Sequence, residues 1–453
     1  MTEAFSSSSH VRVERGIRYA RAARFGRPAL EPLSQDRLVA LAPQPNTDGD
    51  EDCLHLTVWS PRSAQGAPVL VWIHGGAHVS GGAADPVTDG ARLAETQGLV
   101  VVAVQYRLGA FGYLLMEDDG AGDGANAALH DQLTALRWVS AHIADFGGDP
   151  DSVTVMGQSS GGVDVLTLLA IAADSSLFHR VIAHSCTAER AHSLSQNEEI
   201  REQLACAAGV SSTAGLRALS TKALLRAQTR LIEQRSASAA IDSLPFRPVI
   251  DGRLLHRRPL EEFATGTGSA IPLLTGTNRY EALPWLGDSP DDARALDLLL
   301  GAVAPKAHPD ELAAAYENDR RSVPTARDLR EAVLSEVMYR SPVARVVAAR
   351  VDAPTFAYVF DPDGLDGVDP GHSGELPLVF GTADGPAPAT ALSRRMMDAW
   401  GSFARDGCPS SEPEWRDSRH GVFHWGPDPR MDAANDPAMR AVLDAADAEC
   451  DRL

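Results

Sequence analysis

Gly157-Gln158-Ser159-Ser160-Gly161 sets a serine midway between two glycines, directly after the apolar run 153–156 and just before a second apolar run that starts at Val163. In that strand-then-helix context a G-x-S-x-G pentapeptide makes a sharp turn. Small residues on either side let two backbones pass closely, and the Ser159 hydroxyl projects at the carboxyl end of a sheet. The spacing selects Ser159 rather than Ser160. Such a serine is suited to attack on an acyl carbon, and that attack builds negative charge on the acyl oxygen. Backbone N–H groups fixed in advance stabilise the charge at low reorganisation cost. His74-Gly75-Gly76-Ala77 directly follows a run ending Val-Trp-Ile. The expected donors are the N–H groups of Gly76, Ala77 and Ser160, with Gly75 giving the loop its freedom to turn. A serine hydroxyl is a poor nucleophile near neutral pH, so an imidazole must take its proton and a carboxylate must orient the imidazole. Fourteen histidines compete for that role. Where this elbow occurs the chain order is serine, acid, histidine, which directs attention to those after Ser159.

The elements that must hold these groups are legible as an alternation. Apolar, β-rich runs at 53–59, 68–73, 99–106, 153–156, 180–185, 272–276 and 355–360 are separated by helical patterns, which reads as a mostly parallel sheet with helices on its faces. Within 126–146 the residues Leu129, Leu133, Leu136, Val139 and Ile143 recur at helical spacing, and Gly147 and Gly148 follow where a helix would stop. Long helix-like stretches at 196–236 and 290–350 read as excursions above the sheet. Residues with chemical potential fall on both sides of every candidate boundary, so one interrupted domain over 1–453 is expected, with helical excursions at about 190–245 and 285–350.

Bulk properties exclude more than they identify. The net charge of −20 over 453 residues disfavours nucleic acid and anionic lipid, which are bound chiefly by clustered Lys and Arg. The start of the chain shows no basic segment followed by an apolar run, so no secretory signal is read. The longest apolar stretches, 98–104 and 163–172, are too short to span a bilayer, and membrane insertion is not expected. Five cysteines, an odd number without any Cys-x-x-Cys spacing, argue against a disulfide framework or a zinc site, and reduced thiols in a cytoplasm are expected. Oligomeric state is not legible.

Beyond these motifs the chain resembles the type B carboxylesterases, a family that includes cholinesterases and bacterial para-nitrobenzyl esterases. The resemblance rests on Glu51-Asp52-Cys53-Leu54, Tyr106-Arg107-Leu108-Gly109, Asp131-Gln132 with Ala135-Leu136-Arg137-Trp138-Val139, and Phe146-Gly147-Gly148-Asp149-Pro150 running into the elbow. Weaker similarity begins near Gly16-Ile17-Arg18-Tyr19-Ala20 and returns at Trp400, Phe403-Ala404 and Gly407. It implies an α/β-hydrolase fold, with a central mostly parallel sheet flanked by helices and helical insertions over the active site. It also implies hydrolysis of small-molecule carboxylic esters through an acyl-enzyme, with no metal and no cofactor. The same machinery serves carbamates, amides or lactones, and a non-catalytic interaction protein on this fold is the reading from another class.

The resemblance also supplies the remaining groups. His372, in Gly371-His372-Ser373-Gly374-Glu375-Leu376-Pro377, matches the family's base segment, and Glu281, closing Gly276-Thr277-Asn278-Arg279-Tyr280-Glu281, matches the acid segment. Tyr280 and Ala282 depart from the aspartate and glycine common there. Ser185 and Glu375 match positions that support the glutamate and the histidine. Gln158 stands where a glutamate is common, and His78 where an aromatic residue is common. His78 is therefore either a wall of the pocket or a hydrogen-bonding group for substrate. Residues 25–51 contain no tryptophan and no cysteine, so the choline-binding tryptophan of cholinesterases has no counterpart and choline esters are disfavoured.

Overall fold

Parallel strands whose side chains are buried on both faces read as continuous apolar runs, and the strand Ala67–Ile73 does so: Val69, Val71 and Ile73 face one apolar layer, Leu70 and Trp72 the other. A computed structural model describes residues 10–47, 49–116, 126–236, 244–287, 291–305, 307–320, 323–350, 352–416 and 421–432. Its strands are β1 (Val11–Arg18), the two-residue β2 (Ala20–Arg21) and β3 (Ala29–Leu30), β4 (His55–Pro61), β5 (Ala67–Ile73), β6 (Val100–Val104), β7 (Gly148–Gln158), β8 (Arg180–His184), β9 (Leu273–Asn278), β10 (Thr355–Phe360), β11 (Val422–Trp425) and β12 (Arg430–Asp432). All but β2 and β3 form one sheet in the order β1-β4-β6-β5-β7-β8-β9-β10-β11-β12. From β6 to β11 the neighbours are parallel. The pairs β1/β4, β4/β6 and β11/β12 are antiparallel.

Helices cover both faces. On one side Ala127–His142 and Ser160–Ala172 pack Leu133, Leu136, Val165 and Leu168 against the odd-numbered valines of β5 and β7. On the other, Ala387–Asp406 sets Met396, Trp400 and Phe403 against Trp72, Tyr358 and Phe356. Each such side chain taken fully from water contributes roughly 1.5–3 kcal/mol, enough in sum to fix which strand ends converge. The helix read over 126–146 is an α-helix to His142 and then a 3-10 turn, Ile143–Phe146, closed by Gly147 at φ 79°. Glycine tolerates that left-handed backbone. β7 starts at Gly148 rather than near residue 153, because Gly148 pairs with Ala67 ahead of the regular register. β8 stops at His184, one residue early, because Ser185 turns to φ 48°.

The two excursions are helical. The first holds Leu194–Ala208, begun by a Ser193/Gln196 capping box, then Thr213–Ala218 and Thr221–Ser236. The second holds Asp292–Val303, Pro309–Arg320, Ala326–Ser335, a π turn at Glu336–Arg340, and Ser341–Ala349. It has an apolar cluster of its own around Leu296, Leu312, Leu329 and Val333. No helix among the described residues is long and apolar enough to cross a membrane. Cys53, Cys186, Cys206 and Cys408 form no disulfide among the described residues, whereas Cys450, residues 237–243 of the first excursion and the chain start lie outside the described residues.

Candidate active site

The carboxyl ends of β5, β7, β8 and β9 carry the loops that matter. Ser159 sits between β7 and the helix Ser160–Ala172 at φ 56°, ψ −125°, a conformation that costs a non-glycine residue of order 1–3 kcal/mol and is held by what surrounds it. Its N–H donates to the His184 carbonyl at 2.9 Å, and its own carbonyl takes the Val163 N–H at 2.9 Å, which starts the helix. Gly161 is obligatory here: a Cβ at that position would lie 2.3 Å from the Ile73 carbonyl oxygen and 2.5 Å from that of His74. The sequence reading of small residues allowing close passage is met at that atom.

His372 and Glu281 come together from β10 and β9. His372 Nδ1 lies 2.6 Å from Glu281 Oε2, and the Glu281 side chain is fully buried. Glu281 Oε1 accepts the Asn278 N–H at 2.7 Å, so the carboxylate is fixed at both oxygens. Asn278, the last residue of β9, also donates from Nδ2 to the Gly371 carbonyl at 2.6 Å and to Glu375 Oε2 at 2.7 Å. This asparagine ties the acid loop to the histidine loop, and sequence reasoning missed it, although its place three residues before Glu281 was the available signal. Glu375 thus supports the histidine loop through Asn278. Ser185 departs from its expected role: its Oγ is buried and makes no hydrogen bond among the described residues, while its N–H donates to the Gly276 carbonyl at 2.8 Å. Its support to the acid segment runs through the backbone. Tyr280, where the family commonly has aspartate, turns outward and donates to Asp363 at 2.7 Å, and the Ala282 N–H donates to Ser335 Oγ at 2.9 Å.

Gln158 lies closer to the chemistry than its sequence position suggested. Its amide Nε2 is 3.1 Å from His372 Nε2. The amide N–H donates, so that ring nitrogen presents its lone pair, and the hydrogen sits on Nδ1 facing Glu281. Among the described hydrogen bonds Nε2 is engaged by Gln158 and not by Ser159 Oγ, although both residues line one cavity.

The loop after β5 turns through three successive positive φ angles, 118° at Gly76, 57° at Ala77 and 60° at His78. Gly75 has a different part from the one expected. The turn is made by the three residues after it, whereas Gly75 lets the loop approach the elbow, since a Cβ there would lie 2.7 Å from the Gln158 carbonyl oxygen and 3.2 Å from Ser159 Cβ. The Tyr106 hydroxyl donates to the His74 carbonyl at 2.6 Å and anchors the loop from β6. Burial holds the His74 imidazole down to about 4, so it is neutral at physiological pH.

Gly76, Ala77, Ser160, Ser159 and His372 open on one cavity of about 340 Å³. Trp285 and Tyr339, from the start and middle of the second excursion, lie with ring centroids 5.0 and 4.9 Å from the His372 ring. Leu244 and Phe246 add apolar wall, and Arg190 and Arg247 are the arginines among the described lining. Cys186 also lines it, but burial, and after it the Glu281 charge, push its thiol up, so it is not a competing nucleophile. Both nitrogens of His78 lie within hydrogen-bond distance of protein acceptors, at Phe246, Ser160 and Asp164.

A family model described as the carboxylesterase family matches residues 16–435. The chain is 34% identical over 383 residues to the para-nitrobenzyl esterase of Bacillus subtilis (strain 168), spanning 80% of this chain and 76% of that protein. It is 32% identical over 429 residues to the liver carboxylesterase of Sus scrofa, spanning 86% and 75%. Among solved structures, the carboxylesterase EST55 of Geobacillus stearothermophilus superposes with a TM-score of 0.82 at 28% identity over 96% of this chain and 97% of that one. A PNB esterase superposes with 0.79 at 30% identity over 96% of each.

Proposed function

The chain belongs to the carboxylesterase family and hydrolyses carboxylic esters, and from that premise we propose that Ser159 is its nucleophile, His372 the general base and Glu281 the carboxylate that orients the base. One observation carries this reading: the 2.6 Å contact of a fully buried carboxylate with the imidazole that shares a cavity with the strained elbow serine. The Glu281 contact keeps the hydrogen on Nδ1 and leaves Nε2 free to accept. For reaction the Ser159 hydroxyl takes the place of the Gln158 amide at Nε2, a tightening of the kind that accompanies substrate binding. Oγ then attacks the ester carbonyl as its proton passes to Nε2. The N–H groups of Gly76, Ala77 and Ser160 receive the oxyanion, and the imidazolium returns the proton to the departing alcohol. Water, deprotonated by the same nitrogen, attacks the acyl-enzyme and releases the acid.

These groups come from segments before, between and after the two helical excursions, which supports reading the chain as one interrupted domain. The odd number of cysteines, five, without Cys-x-x-Cys spacing supports a reducing, cytoplasmic setting. The test is Ser159→Ala assayed with p-nitrophenyl acetate. Hydrolysis should fall to the residual rate of roughly 10³–10⁴ over water that binding and the oxyanion donors alone supply. Ser160→Ala keeps its backbone N–H and should be mild. Activity that survives Ser159→Ala and is lost in Ser160→Ala would overturn the assignment.

A further inference from the structure

His78 directly follows the oxyanion loop and is buried against the helix that begins at Ser160. Its Nδ1 lies 3.0 Å from the Phe246 carbonyl oxygen. Its Nε2 lies 3.1 Å from the Ser160 carbonyl oxygen and 3.1 Å from Asp164 Oδ1. A carbonyl oxygen only accepts, so a ring nitrogen facing one must carry a hydrogen. Both nitrogens face one, and an imidazole with hydrogens on both is a cation.

Asp164, fully buried one turn into the helix, is its counter-ion. Asp164 Oδ2 receives the Tyr113 hydroxyl and the Gln132 amide, the latter at 2.6 Å, while Oδ1 receives His78. Only donors surround it, as an ionised carboxylate away from water requires. Burial, and then the Asp164 charge, keep the Tyr113 phenol well above its ordinary value, so that hydroxyl stays a donor. The Tyr113 ring also lies against the His78 ring, 4.3 Å between centroids and tilted by 41°. Three segments therefore meet at one imidazole: the oxyanion loop that bears it, the amino end of the nucleophile helix, and the wall at Phe246.

Building on the oxyanion hole proposed above, we propose that His78 is a positioning residue, a buried imidazolium whose ion pair with Asp164 locks the oxyanion loop onto the Ser159 helix and sets fixed positive charge behind the N–H donors of Ala77 and Ser160. One consequence follows from the low-dielectric setting: the pair, with its imidazole 3.1 Å from the Ser160 carbonyl oxygen, holds donors that would otherwise drift apart. Because both nitrogens are committed, His78 acts on the reaction through the backbone it fixes and not through a bond to substrate.

The test has three arms on the full chain. In the unmodified protein labelled with 15N-histidine, NMR at pH 7 should show hydrogens on both nitrogens of the ring that contacts Tyr113 and Phe246. A hydrogen-free nitrogen on that ring overturns the proposal, and this arm needs no variant to fold. Asp164→Asn and the double variant His78→Phe/Asp164→Asn remove the countercharge and the pair respectively. Each should lower kcat by about tenfold to a hundredfold, below the loss for deleting a hole donor outright, with KM little changed. Affinity for a trifluoromethyl ketone, which places an oxyanion in the hole, should weaken by the same factor. A folded variant with unchanged kcat and unchanged ketone affinity overturns the proposal. Ser159→Ala separates the two readings: its activity surviving removes the nucleophile assignment, whereas a dead Ser159→Ala beside normal pair variants removes only the role of His78.

Discussion

Replacing Gln158 by glutamate exchanges a neutral donor for an anion beside the proposed base, and the structure fixes how large the effect must be. The Gln158 amide nitrogen is 3.1 Å from His372 Nε2, and the Gln158 side chain is buried. A carboxylate in that place puts opposite charge centres about 4 Å apart once the ring is protonated, worth about 1 kcal/mol in bulk water and about 4 kcal/mol at the effective dielectric of a protein surface. The new glutamate also loses hydration on burial, which pulls the result below the upper end of that range. A net preference of about 1.5–3 kcal/mol for the imidazolium moves a titration by about one to two pH units. The direction is upward, because the anion favours the protonated ring and only the neutral ring accepts the serine proton. In the kcat/KM profile for p-nitrophenyl butyrate the acid limb of Gln158→Glu should therefore lie about one to two pH units above that of the parent. The plateau should also drop, since the carboxylate faces the developing oxyanion. Gln158→Met removes the donor without adding charge and should leave the limb near its original place. A Gln158→Glu protein that is folded and active with an unmoved acid limb would refute the proximity of this side chain to the working base.

Other consequences are direct. Glu281→Gln retains the Asn278 contact but presents an amide hydrogen to His372 Nδ1, which forces the hydrogen onto Nε2 and should cost about 10⁴ in kcat with little change in fold; a loss under tenfold in steady-state assays contradicts the triad. His74, held neutral at about 4 against an ordinary 6.5 by burial, stabilises the fold fully above about pH 6.5. That contribution is lost as pH falls toward 4, because the unfolded chain takes up the proton first, and it amounts to about 3 kcal/mol. Urea midpoints at pH 7.5 and 5 should differ by the part lost by pH 5, about 2 kcal/mol, and His74→Phe should narrow the difference; a difference left unchanged by His74→Phe would count against the buried neutral ring. Arg190 and Arg247 are the arginines in the described cavity lining, and Trp285 and Tyr339 are packed on His372. An acylcholine should accordingly gain no more than about twofold in kcat/KM over its 3,3-dimethylbutyl isostere, the lower end of a cation–π contact. A large choline preference that persists at high ionic strength, where long-range attraction to the net charge of −20 is screened, contradicts this.

The parallel centre of the sheet was legible because its strands are buried on both faces and so spell apolar runs, as at Val69–Ile73 and Val100–Val104. The edges were not. β1 reads Val-Arg-Val-Glu-Arg-Gly-Ile-Arg with an irregular register between Glu14 and Ile17, so neither an apolar run nor a clean alternation marks it. β11 and β12 are short, and their pairing with β10 is a non-local fact that no window of sequence contains. Ser185 shows a related limit: its N–H, held to the Gly276 carbonyl, is what the fold uses, and a backbone contact leaves no mark on residue type.

The site divides along the same line, between what a local motif encodes and what only packing brings together. Ser159 and the Gly76–Ala77 turn are local, so residue type and spacing were sufficient to point to them. Glu281 and His372 stand in loops after β9 and β10, 91 residues apart and in no fixed spacing to the serine, and residue type alone left many carboxylates and thirteen other histidines open; resemblance to whole segments selected them. Asn278 and Asp164 carried no motif at all, and Gln158 sat in the elbow motif at its variable position. Each is an ordinary polar residue whose role depends on non-local contacts: Asn278 on Glu281 and Glu375, Gln158 on the far nitrogen of the base, Asp164 on His78. The His78–Asp164 pair shows why that class is hidden. His78 lies in the loop after β5 and Asp164 on the helix after β7, so a histidine in an apolar-looking loop and an aspartate in the apolar run from Val163 each look like an isolated misfit in sequence. An unpaired charge at either place would be costly to bury, and the two become affordable only together, through a contact that exists once β5 and β7 lie side by side. A pair of local misfits that cancel across adjacent strands is therefore a signal that sequence carries, but one that is readable only after the strand order is known.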